Sequence, residues 1–150
     1  MKIGYMRVST DLDRQSFDLQ LDALIKSGVD ERNIFKDVQS GAATKRQGLE
    51  QALDYMKVGD CLVVWKLDRL GRSLINLLDI MQKLRDKKVG FQSLTEDFNT
   101  TSPHGDLFFN VMASLSQYER ALLKERINAG LEAARTRGRI GGRPKAIDSE

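Results

Sequence analysis

Two short clusters hold the residues that can do chemistry: Tyr5-Met6-Arg7-Val8-Ser9-Thr10, and Asp68-Arg69-Leu70-Gly71-Arg72 after the apolar Val63-Val64-Trp65. Both set arginines close to a serine or a carboxylate. A serine that attacks a carbonyl ordinarily borrows a histidine base, and the only histidine here is His104, in Ser102-Pro103-His104-Gly105. Arginine holds phosphate instead, through a planar fork of donors and a permanent charge. The chemistry this combination points to is serine attack on a phosphodiester. Such a transfer needs an in-line nucleophile, neutralised charge on the equatorial oxygens and a proton for the leaving oxygen. Ser9 supplies the first, Arg7, Arg69 and Arg72 the second, and Asp68 is the nearest acidic residue to handle protons. Arg46 lies in a loop of small residues and is placed to close over the phosphate. No residue is assigned as the base that activates Ser9. Helix capping is the competing role for a serine in such a position.

These residues need a scaffold, and the apolar pattern supplies one. Lys2 to Val8 reads as a buried strand followed by a polar loop from Ser9 to Ser16. Phe17, Leu21, Leu24 and Ile25 recur at helical spacing, and Gly28 suits the helix end. A strand at Ile34 to Val38 leads to Ser40-Gly41-Ala42-Ala43-Thr44-Lys45-Arg46-Gln47-Gly48, where glycine and small residues predict a mobile loop. Leu49, Ala52, Leu53 and Met56 mark a second helix. Cys61 to Trp65 is apolar throughout, as a central parallel strand covered on both faces must be. Leu74, Leu77, Leu78, Met81 and Leu84 mark a third helix, and Gly90 to Thr95 a fourth strand. The alternation predicts an α/β domain with a mostly parallel sheet flanked by helices. Ligands of such sheets bind beyond the carboxyl ends of the strands, which is where Ser9 and Asp68 fall.

From Gly105 to Arg137 there is no proline, and Leu107, Phe108, Val111, Met112, Leu115, Leu122, Leu123 and Ile127 fall near helical spacing. At about 1.5 Å per residue this helix would be roughly 50 Å long, so part of it must project from so small a domain. Its first half is rich in large apolar residues and suits a subunit interface, with core packing as the other reading for Phe108 and Val111. After Tyr118, charged residues multiply and suit a polar partner.

The chain has 150 residues, 41% hydrophobic and 30% charged, enough for one globular domain with a core. No stretch approaches the roughly 18 apolar residues that span a bilayer, and the opening residues lack a secretory signal, so the expectation is a cytoplasmic protein with no membrane partner. One cysteine, Cys61, leaves no disulfide framework and no zinc site of cysteine and histidine. The net charge of +3 is unevenly spread: residues 135–145 hold five basic side chains and no acidic one, so the rest of the chain is net negative. A glycine-interrupted basic strip of this kind is the footprint of nucleic-acid binding.

Tyr5-x-Arg7-Val8-Ser9-Thr10, then Leu67-Asp68-Arg69-Leu70-Gly71-Arg72-Ser73, then Glu119-Arg120-x-x-x-x-Glu125-Arg126, in this order, resemble the small serine recombinases, the resolvases and DNA invertases. The blocks and the basic tail together run from residue 5 to residue 145, and two stretches, 65–73 and 138–145, look closer to the invertases. The resemblance implies a site-specific recombinase in which Ser9 attacks a DNA phosphate, leaving a 5′-phosphoserine linkage and a free 3′-hydroxyl. It implies that Arg7, Arg69 and Arg72 line the phosphate site, that Tyr5, Gln20, Ser40, Asp68 and Arg46 assist, and that Glu125 and Arg126 act from the long helix. Arg139, Arg143 and Lys145 would follow the DNA backbone into the minor groove, a docking mode known from relatives of this family. Double-stranded DNA is the implied partner, with a homodimer that becomes a tetramer when two sites meet. Since the phosphoserine conserves the bond energy, no cofactor or metal is expected, and no G-x-x-x-x-G-K-[ST] loop is present.

Two departures accompany the match: Asp11-Leu12-Asp13-Arg14-Gln15-Ser16 is longer than the usual connection to Gln20, and Leu123 stands where isoleucine is more usual. The implied organisation is a catalytic core at 1–103, a dimerisation and DNA-contacting helix at 104–137, and a basic arm at 138–150 that begins a linker to a helix-turn-helix domain outside this chain. Two other functions compete. A metal-dependent nuclease would use carboxylates such as Asp11, Asp13 and Asp68, and a catalytically silent DNA-binding assembly module would make Ser9 dispensable.

Overall fold

The computed structural model describes residues 1–9, 14–39, 45–139 and 141–142. Its elements in chain order are β1 (Lys2–Ser9), α1 (Arg14–Lys26), β2 (Ile34–Gln39), α2 (Gln47–Tyr55), β3 (Cys61–Val64), α3 (Leu67–Leu70), α4 (Leu74–Asp86), β4 (Gly90–Ser93), β5 (Phe98–Asn99) and α5 (Pro103–Thr136). The strands form one sheet in the order β2-β1-β3-β4-β5. The first four are parallel and β5 runs antiparallel to β4, as the sequence predicts for a mostly parallel sheet.

Successive side chains of a strand point to opposite faces, and the core follows that rule. Ile3 and Tyr5 of β1, with Leu62 and Val64 of β3, join one buried cluster with Leu49, Ala52, Leu70, Leu84 and Phe91. Met6 and Val63 join a second cluster with Leu24 and Val29. Burial on both faces is why Cys61 to Val64 is apolar without alternation.

Several boundaries differ from those read off the sequence. α1 begins at Arg14, inside the stretch expected to be loop until Ser16. β4 stops at Ser93 rather than Thr95, although the N–H groups of Leu94 and Thr95 still donate to the carbonyls of Val64 and Trp65, at 3.0 and 2.9 Å. Asp97, at φ 50°, then turns the chain back into β5. α5 begins at Pro103, where a missing N–H costs nothing in a first turn.

By its internal contacts the chain divides into Met1–Ala113 and Ser114–Glu150. Within the first unit, Phe109 is buried and Met112 and Ala113 pack against the core, whereas Phe108 and Val111 lie at the surface. Gly105 permits this seating: a Cβ there would stand 1.7 Å from the carbonyl oxygen of Asn99. In the second unit α5 ends in a closed cap. Gly138, at φ +76°, donates its N–H to Arg135, and Arg139 donates to Ala134 at 2.9 Å, the paired bonds that finish many helices. Among the described residues no helix is long and apolar enough to cross a membrane.

Candidate active site

β1 and β3 are adjacent and parallel, so their carboxyl ends open on the same edge of the sheet. Ser9 is the exposed last residue of β1. α3 follows β3 directly, and its backbone braces the arginines. Arg7 Nη2 donates to the Asp68 carbonyl, and Arg46 Nη2 donates to the Arg69 carbonyl at 3.3 Å. Arg69 Nη1 in turn reaches the Arg7 carbonyl at 3.4 Å, while its guanidinium sits 5.8 Å from the Trp65 ring. Arg69 Nε is buried without a hydrogen-bond partner. The Asp68 carboxylate, 71% exposed, is 3.7 Å away, beyond hydrogen-bond reach.

The electrostatics follow from the crowding of like charge. Arg7 is held below the usual arginine range, first by burial and then by the positive charges of Arg46, Arg72 and Arg69, with Tyr5 opposing the shift. Like charges crowded in a partly dry site are relieved by an anion. A phosphate oxyanion facing guanidinium forks is such an anion.

Tyr5 joins two elements to the cluster. Arg46 donates to the Tyr5 hydroxyl from Nη2 and Nε, at 3.1 and 3.3 Å, and that hydroxyl donates to Asp37 Oδ2 at 2.9 Å. Burial pushes the Tyr5 phenol up to about 12, against the opposing influence of Arg46. Asp37 also accepts the N–H groups of Gly48 and Leu49, at 2.7 and 3.0 Å. It therefore caps α2, whose own N-cap residue, Arg46, makes no side-chain cap bond. Gly48 allows the close approach, since a Cβ there would lie 2.3 Å from the Lys36 carbonyl oxygen. Asp37 escapes a reading of the sequence. Its only signal is a carboxylate among the apolar residues of a strand, Ile34-Phe35-Lys36-Asp37-Val38.

Gln20 occupies a different place from the other predicted residues. It is 0% exposed, and its amide nitrogen donates to the carbonyls of Arg7 and Ser16, both at 3.2 Å. The Arg7 N–H donates to Gln20 Oε1 at 3.4 Å. Gln20 thus grips the backbone behind Arg7 instead of facing the open cluster. Arg72 completes the set from the connection after α3, its backbone N–H held by Asn76 Oδ1 at 3.2 Å. The structure therefore brings together Tyr5, Arg7, Arg46, Asp68, Arg69 and Arg72. Glu125, Arg126 and Arg139 are exposed residues of the second unit. Ser40, Arg143, Lys145, Asp11 and Asp13 lie outside the described residues.

Known proteins share this organisation. The chain is 51% identical to the serine recombinase Gin of Escherichia phage Mu over 147 residues, 98% of this chain and 74% of the relative. It is 51% identical to the DNA-invertase Hin of Salmonella typhimurium over 146 residues, 97% of this chain and 75% of that protein. Among solved structures, the N-terminal catalytic domain of TP901-1 integrase is similar at 30% identity and a TM-score of 0.67, over 81% of this chain and 98% of that one. The class is that of the site-specific recombinases that carry a serine. Residues 2–140 match the family model of the resolvase N-terminal domain, and the chain belongs to that family.

Proposed function

We propose that this recombinase cuts and rejoins double-stranded DNA by transferring a backbone phosphate to Ser9. The Oγ–P bond forms as the P–O3′ bond breaks, the Ser9 hydroxyl gives up its proton to solvent, and the departing oxygen takes up a proton to become a free 3′-hydroxyl. A 3′-hydroxyl later attacks the same phosphorus, releases Ser9 and reseals the strand without a nucleotide. Arg7, Arg69 and Arg72 neutralise the charge on the phosphate oxygens. Arg46 adds to them, held by Tyr5, while Gln20 fixes the strand that carries Arg7. Asp68, open to solvent, is the proton-handling group within reach of the cluster, and Ser40 assists from the segment before Arg46. The observation that carries this reading is the shared positive charge on Arg7, Arg46, Arg69 and Arg72 beside the end of β1.

The same reading gives the chain a homodimeric state, becoming tetrameric when two DNA sites are joined. Leu107, Phe108 and Val111 in the first unit, and Leu115 and Tyr118 in the second, are large apolar residues left exposed in a single chain. Glu125 and Arg126 act on DNA from the long helix, and Arg139, Arg143 and Lys145 follow its backbone. A DNA substrate supports action in the cytoplasm.

Denaturing electrophoresis after incubation with a nicked suicide duplex tests the mechanism. The unaltered protein yields a covalent adduct, in excess chelator as well. Ser9→Ala yields none while folding and binding DNA normally, because one surface hydroxyl contributes little to stability. An adduct from that variant would overturn the assignment of the nucleophile.

A further inference from the structure

We propose that Glu96 is a positioning residue for the arginine cluster, acting as the N-terminal cap of α3 from the turn that follows β4. α3 is a single turn of four residues, too short to persist on its own helical bonds. Its N-cap residue, Lys66, makes no side-chain cap bond. The Glu96 carboxylate takes that place from 29 positions along the chain, accepting the Leu67 N–H at 3.3 Å on Oε1 and 3.4 Å on Oε2.

Glu96 is itself held in place. The hydroxyl of the fully buried Ser93 donates to its Oε2. Between the two residues, the Thr95 N–H and hydroxyl both donate to the Trp65 carbonyl, at 2.9 and 2.7 Å. The turn after β4 therefore grips the connection from β3 into α3 at its carbonyls and at its first helical N–H. What it steadies are the Asp68 and Arg69 carbonyls, which receive Arg7 and Arg46. Glu96 touches neither the arginine side chains nor Ser9, and it acts through the helix it caps. Fraying of α3 would shift two guanidiniums at once, and small displacements of positioning groups cost transfer reactions heavily.

The proposal rests on Ser9-dependent cleavage, so Ser9→Ala is run beside every variant. Single-turnover adduct formation on the suicide duplex is measured together with DNA affinity and thermal unfolding. Glu96→Ala should slow adduct formation at least ~10-fold with unchanged DNA affinity, since the carboxylate is exposed and lies outside the DNA-binding groups named above. Glu96→Gln keeps an oxygen for the Leu67 N–H and should restore most of the rate. Ser93→Ala, which frees the Glu96 carboxylate without removing it, should give an intermediate rate and serves if Glu96→Ala unfolds. The positioning role is overturned if Glu96→Ala, or Ser93→Ala where Glu96→Ala unfolds, reacts at the unaltered rate. It is equally overturned if Glu96→Gln is as slow as Glu96→Ala, or if the slowing is matched by lost DNA affinity. An adduct from Ser9→Ala would overturn the underlying mechanism instead.

Discussion

The two units of the chain treat the same residue types in opposite ways. In Met1–Ala113, Leu24, Leu62, Val63 and Val64 are fully buried, whereas in the second unit Tyr118, Leu123, Ile127 and Leu131 are each more than half exposed. Composition does not cause the difference. A sheet with helices on both faces closes its own core, while a single helix has no second layer to cover its apolar side. The first unit thus carries its arginine cluster on a closed core, and the second leaves large apolar side chains exposed.

Truncation in each unit gives the widest separation between them. Leu62→Ala should destabilise the first unit by about 2–5 kcal/mol, the usual range for a buried leucine, followed by Trp65 fluorescence in urea. Leu131→Ala should leave that transition within about 0.5 kcal/mol. Equal effects would mean that the second unit is part of the same cooperative core.

Charge on the exposed face sharpens the contrast. The double variant Val111→Glu with Leu115→Glu should sediment as a folded monomer, with the helical circular dichroism of the unaltered protein. Loss of the dichroic signal would place these side chains in a core, and a folded, monomeric unaltered protein at high concentration would remove the case for a dimer.

The tyrosine at the site provides a smaller effect confined to the first unit. Tyr5 has a phenol raised from 10.0 to about 12, so the folded state holds its proton more tightly than the unfolded state does. That contribution is fully present below pH ~10 and is lost as pH rises toward the folded value. Thermal stability should therefore fall between pH ~10 and ~12 by a component that Tyr5→Phe removes. A fall of the same size in both proteins would show that other groups carry it.

Replacing Arg139, Arg143 and Lys145 with alanine should leave the folding of the first unit untouched. If all three neutralise phosphates, the slope of log affinity against log salt falls by about 2.7, at roughly 0.9 per contact. A slope and an affinity that do not change would show that this segment makes no backbone contacts.

Local pattern was enough to read the mostly parallel sheet, the strand-end positions of Ser9 and Asp68, and the extent of the long helix, because apolar runs and helical spacing are properties of neighbouring residues. Arg7, Arg46, Arg69 and Arg72 were legible as a phosphate-holding set from their chemistry, Tyr5 joined them only through the resemblance of the motifs, and the structure adds the bonds that interlock them. Asp37 was not legible: its partners Tyr5, Gly48 and Leu49 lie 32, 11 and 12 positions away, and no spacing rule connects them. Nor was the four-residue α3 or the two-residue β5, both too short to show a period. Gln20 reads as a polar site residue, yet the close packing of α1 on β1 turns it onto the backbone of Arg7.

The neighbouring phenylalanines of α5 mark the same division. Phe108 and Phe109 are the same residue type in one helix, and sequence determined only that this helix carries apolar side chains around its first turns. Close approach of Gly105 to the Asn99 carbonyl is compatible with this seating, since a Cβ there would stand 1.7 Å from that oxygen. Phe109 enters the core and Phe108 stays at the surface, a choice made by shape and distance between segments, which the order of residues does not contain.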